Sequence, residues 1–505
     1  MTVKVMYRLL VLIMTVFMFA SMNTAQAVDD GYPSTYTYNY DYWSDIRESP
    51  DAYRVSEVIY SGDLGLDVAM KKPQSLFVRN NDIYVADTGN NRILQIRREG
   101  AEYSLIRIID QIKGSDVATF NTPSDMFVDE EENIYIADTN NGRVVMVDKD
   151  LNFIKQFTKP TDATFDQSLS FMPNKLVVDV AGRVFLLATN VNKGLVKFEA
   201  DTSFTGFVGA NKVSYNIVEY MWKTYFMTKE QREQQASFVP TEYHNIYIDP
   251  DSFIYATNTV FSEYDLLWDV AQPIRRLNGI GNDILIKNDR YPPIGDLYWV
   301  EQSVPMGPSK LVDITVLEND IYVAVDQTRG RIFGYDSQGV MLWAFGTTGS
   351  SEGAFNSAVS IEHMGHDLFV LDQNGGCITT FTPTEYGNLI YDATDAYLTG
   401  DYDGSALIWE DVLKLNANYN LAFIGIGRSL MRQEKYEEAM DYFKMAYDRD
   451  NYGRAFRFYR KVWVEENVGW IIALLAAVLI IPLVLRMFKK MRMEVEAHER
   501  NQVQK

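Results

Sequence analysis

One phrase occurs twice in this chain, and it limits the folds that the chain can adopt. IYVADTGNNRIL spans 83–94 and IYIADTNNGRVV spans 134–145, so the two copies begin 51 residues apart. Repetition at a fixed period of roughly this length is typical of arrays of similar units, each too small to bury its own hydrophobic face. The number of copies therefore decides the architecture.

Four weaker copies of the same apolar strand follow at comparable spacing. They are VFLLATN at 184–190, FIYATN at 253–258, DIYVAVDQTRGRIFGYD at 320–336 and DLFVLDQNGGCITTF at 367–381. Most copies have a second apolar run upstream, as in PQSLFV, PSDMFVD, PNKLVVD and PSKLVDITV, and further short strands downstream. Four short strands per unit, repeated six times, predict a mainly β fold, a six-bladed β-propeller.

A propeller needs a strand that closes the ring, because its first and last blades otherwise keep unpaired edges. RVSEVIY at 54–60 precedes the first full unit and alternates between apolar and polar residues. We expect it to supply the outer strand of the last blade, whose own final strand is predicted at 378–381.

The two strong copies, each preceded by P-x-x-x-x-V, resemble NHL repeats, and the resemblance covers residues 54–382. Two units match closely and four loosely. The aspartate of the motif is replaced by Ala188 in the third unit and by Asn258 in the fourth, and Asp326 lies one place late in the fifth. The resemblance implies the propeller fold and implies no common chemistry in every blade.

The first 27 residues have the pattern of a secretion signal. Lys4 and Arg8 precede an apolar run over 9–20, and Ala25-Gln26-Ala27 forms a small-residue cleavage site. Cleavage would leave residues 28–53 as a tyrosine-rich lead segment. An uncleaved anchor is the alternative.

A second apolar segment, assigned to 467–487, is predicted to cross a membrane. Its 19 uncharged residues from Asn467 to Leu485 would span roughly 28 Å as a helix, close to the thickness of a bilayer core. Basic residues follow it, which places the tail of 488–505 in the cytoplasm and the preceding domains outside it. A buried core helix is the alternative. We therefore expect a single-pass membrane protein.

Charge and cysteine content exclude several classes of function. The net charge is −21, and about −26 remains once the +2 of the first 27 residues and the +3 of the tail are set aside. Such a surface repels nucleic acids and anionic lipids. It would attract cations or basic partners; the alternative is that the negative charge only keeps the domain soluble. Cys377 is the only cysteine, so neither an intrachain disulfide nor a cysteine metal cluster can form.

The segment 386–466 changes from strand to helical spacing. Gly427, Tyr436, Ala439, Phe443 and Ala446 have the small–large spacing of a tetratricopeptide repeat, and a weaker copy precedes them over 386–419. The segment resembles such repeats, with a capping helix over 453–466. The segment either offers a concave surface to a partner protein or acts as a rigid stalk, and the sequence favours neither.

Candidate chemistry is sparse. Polar residues end comparable strands of five units: Asp87, Asp138, Asn258, Asp326 and Asp372. Six-bladed propellers such as gluconolactonases hold a divalent metal with side chains of this kind. We favour a structural role, in which Asp87 with Arg92, Asp138 with Arg143, and the later Asp326, Arg331 and Asp372 tie down their own turns.

Two histidines and two irregular segments complete the candidates. His363 and His366 are expected in an exposed hairpin loop, and the acidic run 129–132 in a solvated turn. The tract 31–43 would stack on a glycan, pack across a propeller face or cover hydrophobic surface as an irregular segment. The insertion 215–238 has helical spacing and is expected on one rim of the propeller.

The sequence thus favours a non-enzymatic, membrane-tethered interaction module, receptor or scaffold, with no catalytic residue, cofactor or metal predicted. The arrangement resembles bacterial surface proteins associated with carbohydrate ABC importers. That resemblance implies the membrane and importer subunits or a glycan as partners, and no nucleic acid. The alternative is a metal-dependent, lactonase-like hydrolase that uses the propeller channel. It requires at least three ligands from different blades to converge on one point.

Overall fold

A computed structural model describes residues 36–41, 43, 46–189, 191–209, 243–261, 265–266, 271–287, 292–296, 300–301, 304–305 and 307–503. The predicted export signal at 1–27 and the insertion at 215–238 lie outside the described residues. The described chain forms a six-bladed β-propeller followed by a helical region, so the predicted fold class is confirmed.

The strands of the first half follow the predicted order of four per blade. Three strands precede the first full blade: β1 Tyr38–Tyr40, β2 Ile46–Glu48 and β3 Tyr53–Tyr60. Blade one holds β4 Ser75–Arg79, β5 Asp82–Asp87, β6 Arg92–Glu99 and β7 Glu102–Ile109; blade two holds β8 Pro123–Val128, β9 Ile134–Asp138, β10 Arg143–Val147 and β11 Phe153–Thr158; blade three holds β12 Pro173–Val178, β13 Val184–Ala188, β14 Leu195–Phe198 and β15 Phe204–Val208.

The second half is less regular. Among the described residues blade four holds β16 Tyr243–Ile248, β17 Ile254–Asn258 and β18 Ile274–Leu277, and a small ribbon of β19 Val300–Glu301 and β20 Val304–Pro305 follows. Blade five holds β21 Leu311–Val316, β22 Tyr322–Asp326, β23 Arg331–Tyr335 and β24 Met341–Phe345; blade six holds β25 Ala358–Met364, β26 Asp367–Asp372 and β27 Cys377–Pro383. The first strand of every blade contacts the first strands of both neighbours, so these six strands surround the axis.

The ring closes with the N-terminal strand, as predicted. β3 runs antiparallel to β27, from the pair Tyr60 and Cys377 to the pair Tyr53 and Pro383. Both chain ends of the propeller therefore meet in blade six, where β3 covers the edge that β27 would otherwise leave unpaired.

Hydrophobic side chains fill the spaces between blades rather than one common centre. Separate buried clusters lie between neighbouring blades, and the strands alternate so that each sheet contributes to the clusters on both of its faces. Sheets buried on both faces require the near-continuous apolar strands that the sequence repeats. The side chains of the innermost strands line the central axis.

The tyrosine-rich lead is more ordered than the sequence suggested. β1 pairs with β24 and with β2, so that both strands extend blade five at its outer edge. Tyr38 is fully buried, and its hydroxyl donates to Asp296 at 2.7 Å. The lead thus covers hydrophobic surface as an added pair of strands, where the sequence favoured an irregular segment.

The described helices are α1 Glu385–Thr399, α2 Tyr402–Leu415, α3 Asn420–Arg432, α4 Tyr436–Met445 and α5 Arg449–Val503. Thr384 caps α1 by accepting from Gly387 N at 3.2 Å, and Asp401 caps α2 by accepting from Gly404 N at 2.9 Å. Consecutive helices pack against each other in sequence order. Their inner faces and blades five and six share one buried cluster.

The last helix leaves this core and continues without a break. Ala455 is fully buried, whereas Trp470 is 80% exposed. Residues Arg449–Glu496 form a helix long and apolar enough to cross a membrane, and its most apolar stretch is not buried by protein. Pro482 lies within it.

Candidate functional site

Six buried polar side chains meet where the innermost strands surround the axis. Each comes from the beginning of the first strand of a different blade: Ser75, Asp125, Lys175, Asn245, Asp313 and Ser360. We call this set the channel ring. In five of these strands the pairing register shifts just before the ring residue. Such bulges re-aim a side chain, which explains why polar groups occur in otherwise apolar strands.

Asp125 joins the first three blades through the channel ring. Ser75 Oγ donates to Asp125 Oδ1 at 2.6 Å, and Leu176 N of blade three donates to Oδ2 at 2.8 Å. Lys175 Nζ donates to Ser75 Oγ at 3.1 Å and lies 4.0 Å from Asp125 Oδ1. Burial raises the pKa of Asp125, and the charge of Lys175 offsets part of that effect.

Asp313 likewise joins blades four, five and six through the channel ring. Asn245 Nδ2 donates to its Oδ1, while Ser360 Oγ at 2.6 Å and Ile361 N at 2.8 Å donate to Oδ2. Burial raises the pKa of Asp313 to about 6, against the opposing effects of Lys175 and these donors. The channel ring is therefore a hydrogen-bonded set of cross-links between blades.

A cavity of about 770 Å³ extends from the channel ring to one end of the propeller. Alternate residues of a strand face the same side, so the second residue after each ring residue also faces the channel. Phe77, Phe127, Val177 and Tyr247 supply the apolar wall, and the rings of Phe77 and Phe127 lie 4.9 Å apart. We call this space the central cavity. Its volume is that of a small-molecule site.

Glu362 is the acidic member of the same wall. It is 8% exposed and receives a side-chain hydrogen bond from Thr315 Oγ1 at 3.4 Å. Burial, and then the negative charges of Asp313 and Asp125, raise the pKa of Glu362 well above its usual 4.5. Hydrogen bonds from Thr315 and from the backbone of His363 offset only part of this rise in pKa. Over the described residues Glu362 forms no ion pair.

The carboxylates at the mouth of the central cavity belong to turns. Asp129, Asp179 and Asp249 follow the first strands of their blades. Asp129 Oδ1 accepts from the backbone amides of Glu131 and Asn133, both at 2.9 Å. Asp179 and Asp249 likewise accept the amide four residues further on, at 3.0 and 2.8 Å. The run 129–132 therefore forms the predicted turn, and the mouth is acidic.

Asp87 lies at the far end of β5, away from the turn that borders the central cavity. Its carboxylate accepts from Lys71 N at 2.7 Å, Asn90 Nδ2 at 2.8 Å and Arg92 Nε at 2.7 Å. A single 3-10 turn follows, and it ends at Asn91 with a φ of 54°, a conformation that asparagine tolerates.

Asp138 repeats this arrangement at the end of β9. It accepts from Asn121 N at 2.8 Å, Asn141 Nδ2 at 2.8 Å and Arg143 Nε at 2.9 Å. Gly142 takes the place of Asn91, with a φ of 64°. We interpret both aspartate–arginine pairs as turn-fixing groups.

The later copies diverge in their partners. Asp326 accepts from Lys310 N at 2.8 Å and lies 3.8 Å from Arg329, while Arg331 lies 3.5 Å from Asp296. The arginine at the motif position of blade five thus faces Asp296 and the lead segment, not the turn of its own blade.

Asp372 and Asn258 are also held by turns. Asp372 accepts the backbone amides of Asn356 at 2.6 Å and Gly375 at 2.9 Å. Asn258 Oδ1 accepts from Val260 N at 2.9 Å. These five strand-ending residues do not converge on the central cavity, because they lie at the opposite ends of hairpins from its mouth.

The predicted helical packing residues lie between α3, α4 and α5. Ala439 and Phe443 are fully buried and Ala446 is 1% exposed. A Cβ on Gly427 would lie 2.6 Å from the Phe443 ring, so only glycine fits there without movement. Tyr436 stacks on an aromatic ring of α5 at a centroid distance of 5.4 Å.

The expectation of two exposed loop histidines is wrong. His363 lies within β25 and lines the central cavity, and its Nδ1 is 2.7 Å from Thr315 Oγ1. Burial lowers the pKa of His363 to about 4, so the ring is neutral at pH 7. His366 occupies the turn but stacks on Tyr391, with 4.2 Å between ring centroids. β25 extends through the polar residues Glu362 and His363 because their side chains face the channel, where polar groups are tolerated.

Sequence reasoning missed the channel ring and Glu362. A signal was present: Ser75, Asp125 and Lys175 each stand two residues after a proline, at intervals of 50 residues. Alignment of the upstream strands, rather than of the stronger downstream motif, would have brought these positions together. Within the described residues no group of three His, Cys, Asp or Glu side chains is placed to hold a metal ion.

Comparison with known proteins does not assign a family. No protein-family model matches the chain, and no curated protein matches it. A streptogramin B lyase is 11% identical with a TM-score of 0.40, over 66% of this chain and 98% of that one. A virginiamycin B lyase from Staphylococcus aureus is 11% identical with a TM-score of 0.37, over 65% and 99%. A candidate gluconolactonase is 8% identical with a TM-score of 0.37, over 66% and 94%. At these values the similarities carry no argument about function.

Proposed function

We propose that this protein is a membrane-tethered receptor or scaffold whose propeller lies outside the cytoplasm and holds a ligand in the central cavity. The observation that carries the proposal is the continuous buried core from blades five and six through α1–α4 to the start of the exposed apolar helix. A ligand bound in the propeller would thus be held at a fixed position relative to the membrane helix.

Direct hydrogen bonds support this rigid link. The hydroxyls of Tyr53 in β3 and Tyr391 in α1 lie 2.6 Å apart, and both are buried. Tyr419, just before α3, donates to the Leu342 carbonyl of blade five at 2.6 Å. These contacts favour the rigid-support interpretation for the inner face of the helices. The outer face remains available for a partner.

The proposal retains the finer predictions made from the sequence. The blades are of NHL type, the helices are tetratricopeptide-like, residues 1–27 direct export, and the tail after the span is cytoplasmic. By the resemblance stated above, the partners are subunits of a carbohydrate ABC importer. The acidic net charge of −21 supports an interaction with protein or small cations over nucleic acid.

The test is affinity purification of the full-length chain from gently solubilised membranes, followed by mass spectrometry and metal analysis. We expect importer permease or solute-binding subunits at near-stoichiometric amounts. A matched control replaces Ile472 and Leu475, both exposed in the apolar helix, by arginine. This control should release the chain from the membrane and lose those subunits.

Two results would contradict the scaffold. A solitary protein that carries stoichiometric calcium or zinc would favour the metal-dependent hydrolase. Protease treatment of spheroplasts, whose cell wall and any outer membrane have been removed or opened, would place the propeller in the cytoplasm if it is left uncut there but cut in lysed cells.

A further inference from the structure

We propose that the central cavity binds an organic cation, a ligand with an ammonium group, between Glu362 and the aromatic wall. This inference rests on the proposed function, in that the cavity is taken as the receptor's ligand site. It goes beyond that function by naming the class of ligand and the groups that select it.

The central cavity is predominantly acidic. Asp179 pairs with Arg183 at 2.6 Å, Asp249 with Arg276 at 2.9 Å, and Arg79 lies 3.7 Å from Glu130 at the mouth. The carboxylates of the described lining still outnumber these three arginines and Lys175. Lys175 is the one cation of the channel ring, and it donates to Ser75 beside Asp125. Field lines from acidic groups concentrate in such a cleft and raise the local concentration of cations. Anionic ligands are disfavoured for the same reason.

Glu362 is less completely paired than the other two buried carboxylates. Asp125 and Asp313 each accept hydrogen bonds at 2.6–2.8 Å from side-chain and backbone donors of neighbouring blades. Among the described residues Glu362 accepts a side-chain hydrogen bond from Thr315 at 3.4 Å and a backbone hydrogen bond from His363. It is 8% exposed, and no cationic side chain of the described residues pairs with it. Buried carboxylates ordinarily have such a partner.

The surrounding wall is partly aromatic. Phe77, Phe127 and Tyr247 line the same space as Glu362, and aromatic faces attract cations, most strongly where water is excluded. A carboxylate with aromatic rings is the combination that recognises alkylated ammonium groups. The described residues offer no cluster of three metal-binding side chains, so the arrangement fits an organic cation better than a bare metal ion.

The test measures binding of choline and of its neutral carbon isostere, 3,3-dimethylbutan-1-ol, to the full-length chain in detergent. Isothermal titration or ligand-observed NMR gives both affinities. We expect choline to bind at least about tenfold more tightly than the alcohol, which corresponds to about 1.4 kcal/mol. Glu362→Gln should remove most of this preference, leaving only the part that the aromatic faces supply, and should leave binding of the alcohol unchanged.

Two further variants make the test specific. Phe127→Leu keeps an apolar wall but removes one aromatic face, and it should weaken choline severalfold more than the alcohol. Glu437→Gln removes an exposed carboxylate of α4 far from the cavity and should change neither affinity. Circular dichroism of each variant establishes that it is folded.

Equal affinity for the two probes, a preference for choline that is unchanged in Glu362→Gln, or no choline binding at 50 mM would each overturn the inference. Tight calcium binding that displaces choline and requires Glu362 would also overturn it, in favour of a metal. None of these outcomes changes the importer subunits recovered from membranes or the protease accessibility of the propeller. Failure of the inference and failure of the proposed function are therefore distinguishable.

Discussion

At the scale of single residues, the central cavity keeps a carboxylate where an apolar or amide side chain would be more stable. The pKa of Glu362 is raised by burial and by the nearby negative charges of Asp313 and Asp125. Strongly shifted groups in a cavity mark functional sites more often than structural ones, because a group retained only for stability would be well paired. Glu362 is therefore the residue whose replacement is most informative.

The pH dependence of stability tests this view. With no cation in the cavity, the folded chain keeps the proton of Glu362 above pH 4.5, where the unfolded chain loses it. A bound ammonium group would favour the ionised form. The stability contributed by this group is thus full below about pH 4.5 and falls as pH rises through the folded pKa. Glutamine cannot ionise. Glu362→Gln should therefore match the wild type in Tm near pH 4 and exceed it by a few degrees near pH 8.

Thermal unfolding of both chains from pH 4 to pH 8 is the measurement. The contributions of the other carboxylates to the pH dependence of Tm cancel in the difference between the two chains. A difference that stays constant with pH, or one that favours the wild type increasingly at high pH, would show that Glu362 is ionised and well paired in the folded chain.

At the scale of elements, one strand connects the closure of the propeller to the helical region. β3 completes blade six by pairing with β27, and Tyr53 at its start also contacts α1. The N-terminal strand thus stabilises the ring and the attachment of the helices together.

A double-mutant cycle at Tyr53 and Tyr391 measures the attachment. Tyr53 Oη is 2.6 Å from Tyr391 Oη and donates to the His366 carbonyl at 3.0 Å. Tyr53→Phe therefore leaves two buried groups without this partner, and it should lower the free energy of unfolding by about 1–3 kcal/mol. Tyr391→Phe leaves the bond to His366 in place and should cost about 1 kcal/mol.

The two substitutions should couple by about 0.5–1.5 kcal/mol in denaturant unfolding. Tyr452→Phe, which removes an exposed hydroxyl from α5, is the matched control and should change little. Additive effects of the two substitutions would mean that the hydroxyls do not contribute jointly to the interface.

At the scale of the whole molecule, the propeller, the helical region and the exposed apolar helix are connected without a break. The transition from buried to exposed occurs within α5: Ala455 is fully buried, and Phe458 stacks on Tyr436 with 44% of its own surface exposed. Beyond this point the apolar residues lie outside the core, in a helix that is long and apolar enough to cross a membrane.

Truncation of the chain separates the packed part of α5 from its exposed apolar part. A chain that ends at residue 464 keeps the contacts of Ala455 and Phe458 with α4 and should be soluble, with a Tm close to that of the full-length chain in the same detergent. A chain that ends at residue 447 loses both contacts and should unfold several degrees lower. Membrane flotation and thermal unfolding provide the two readouts. Membrane association of the chain that ends at 464 would contradict the assignment of the span.

The sequence alone determined the features that depend on local patterns. Apolar strands at a regular period predicted six blades, the alternation of 54–60 predicted the closing strand, and the uncharged run after Asn467 predicted the exposed apolar helix. Each of these is encoded within one segment, because the tendency to form a strand or an apolar helix follows from the pattern of residues along that segment. The motif residues Asp87 and Asp138 were found for the same reason.

Only the tertiary structure decided where the polar residues meet. Ser75 and Asp313 belong to segments more than 200 residues apart, and in five of the six innermost strands, that of Asp313 included, a β-bulge determines which side chains face the axis. An alternating apolar–polar pattern does not reveal where such a bulge lies. The raised pKa of Glu362 depends in turn on its burial and on the charges of Asp313 and Asp125, which belong to two other blades. The central cavity therefore arises from the closure of the ring, and its acidity results from charges that the sequence places far apart.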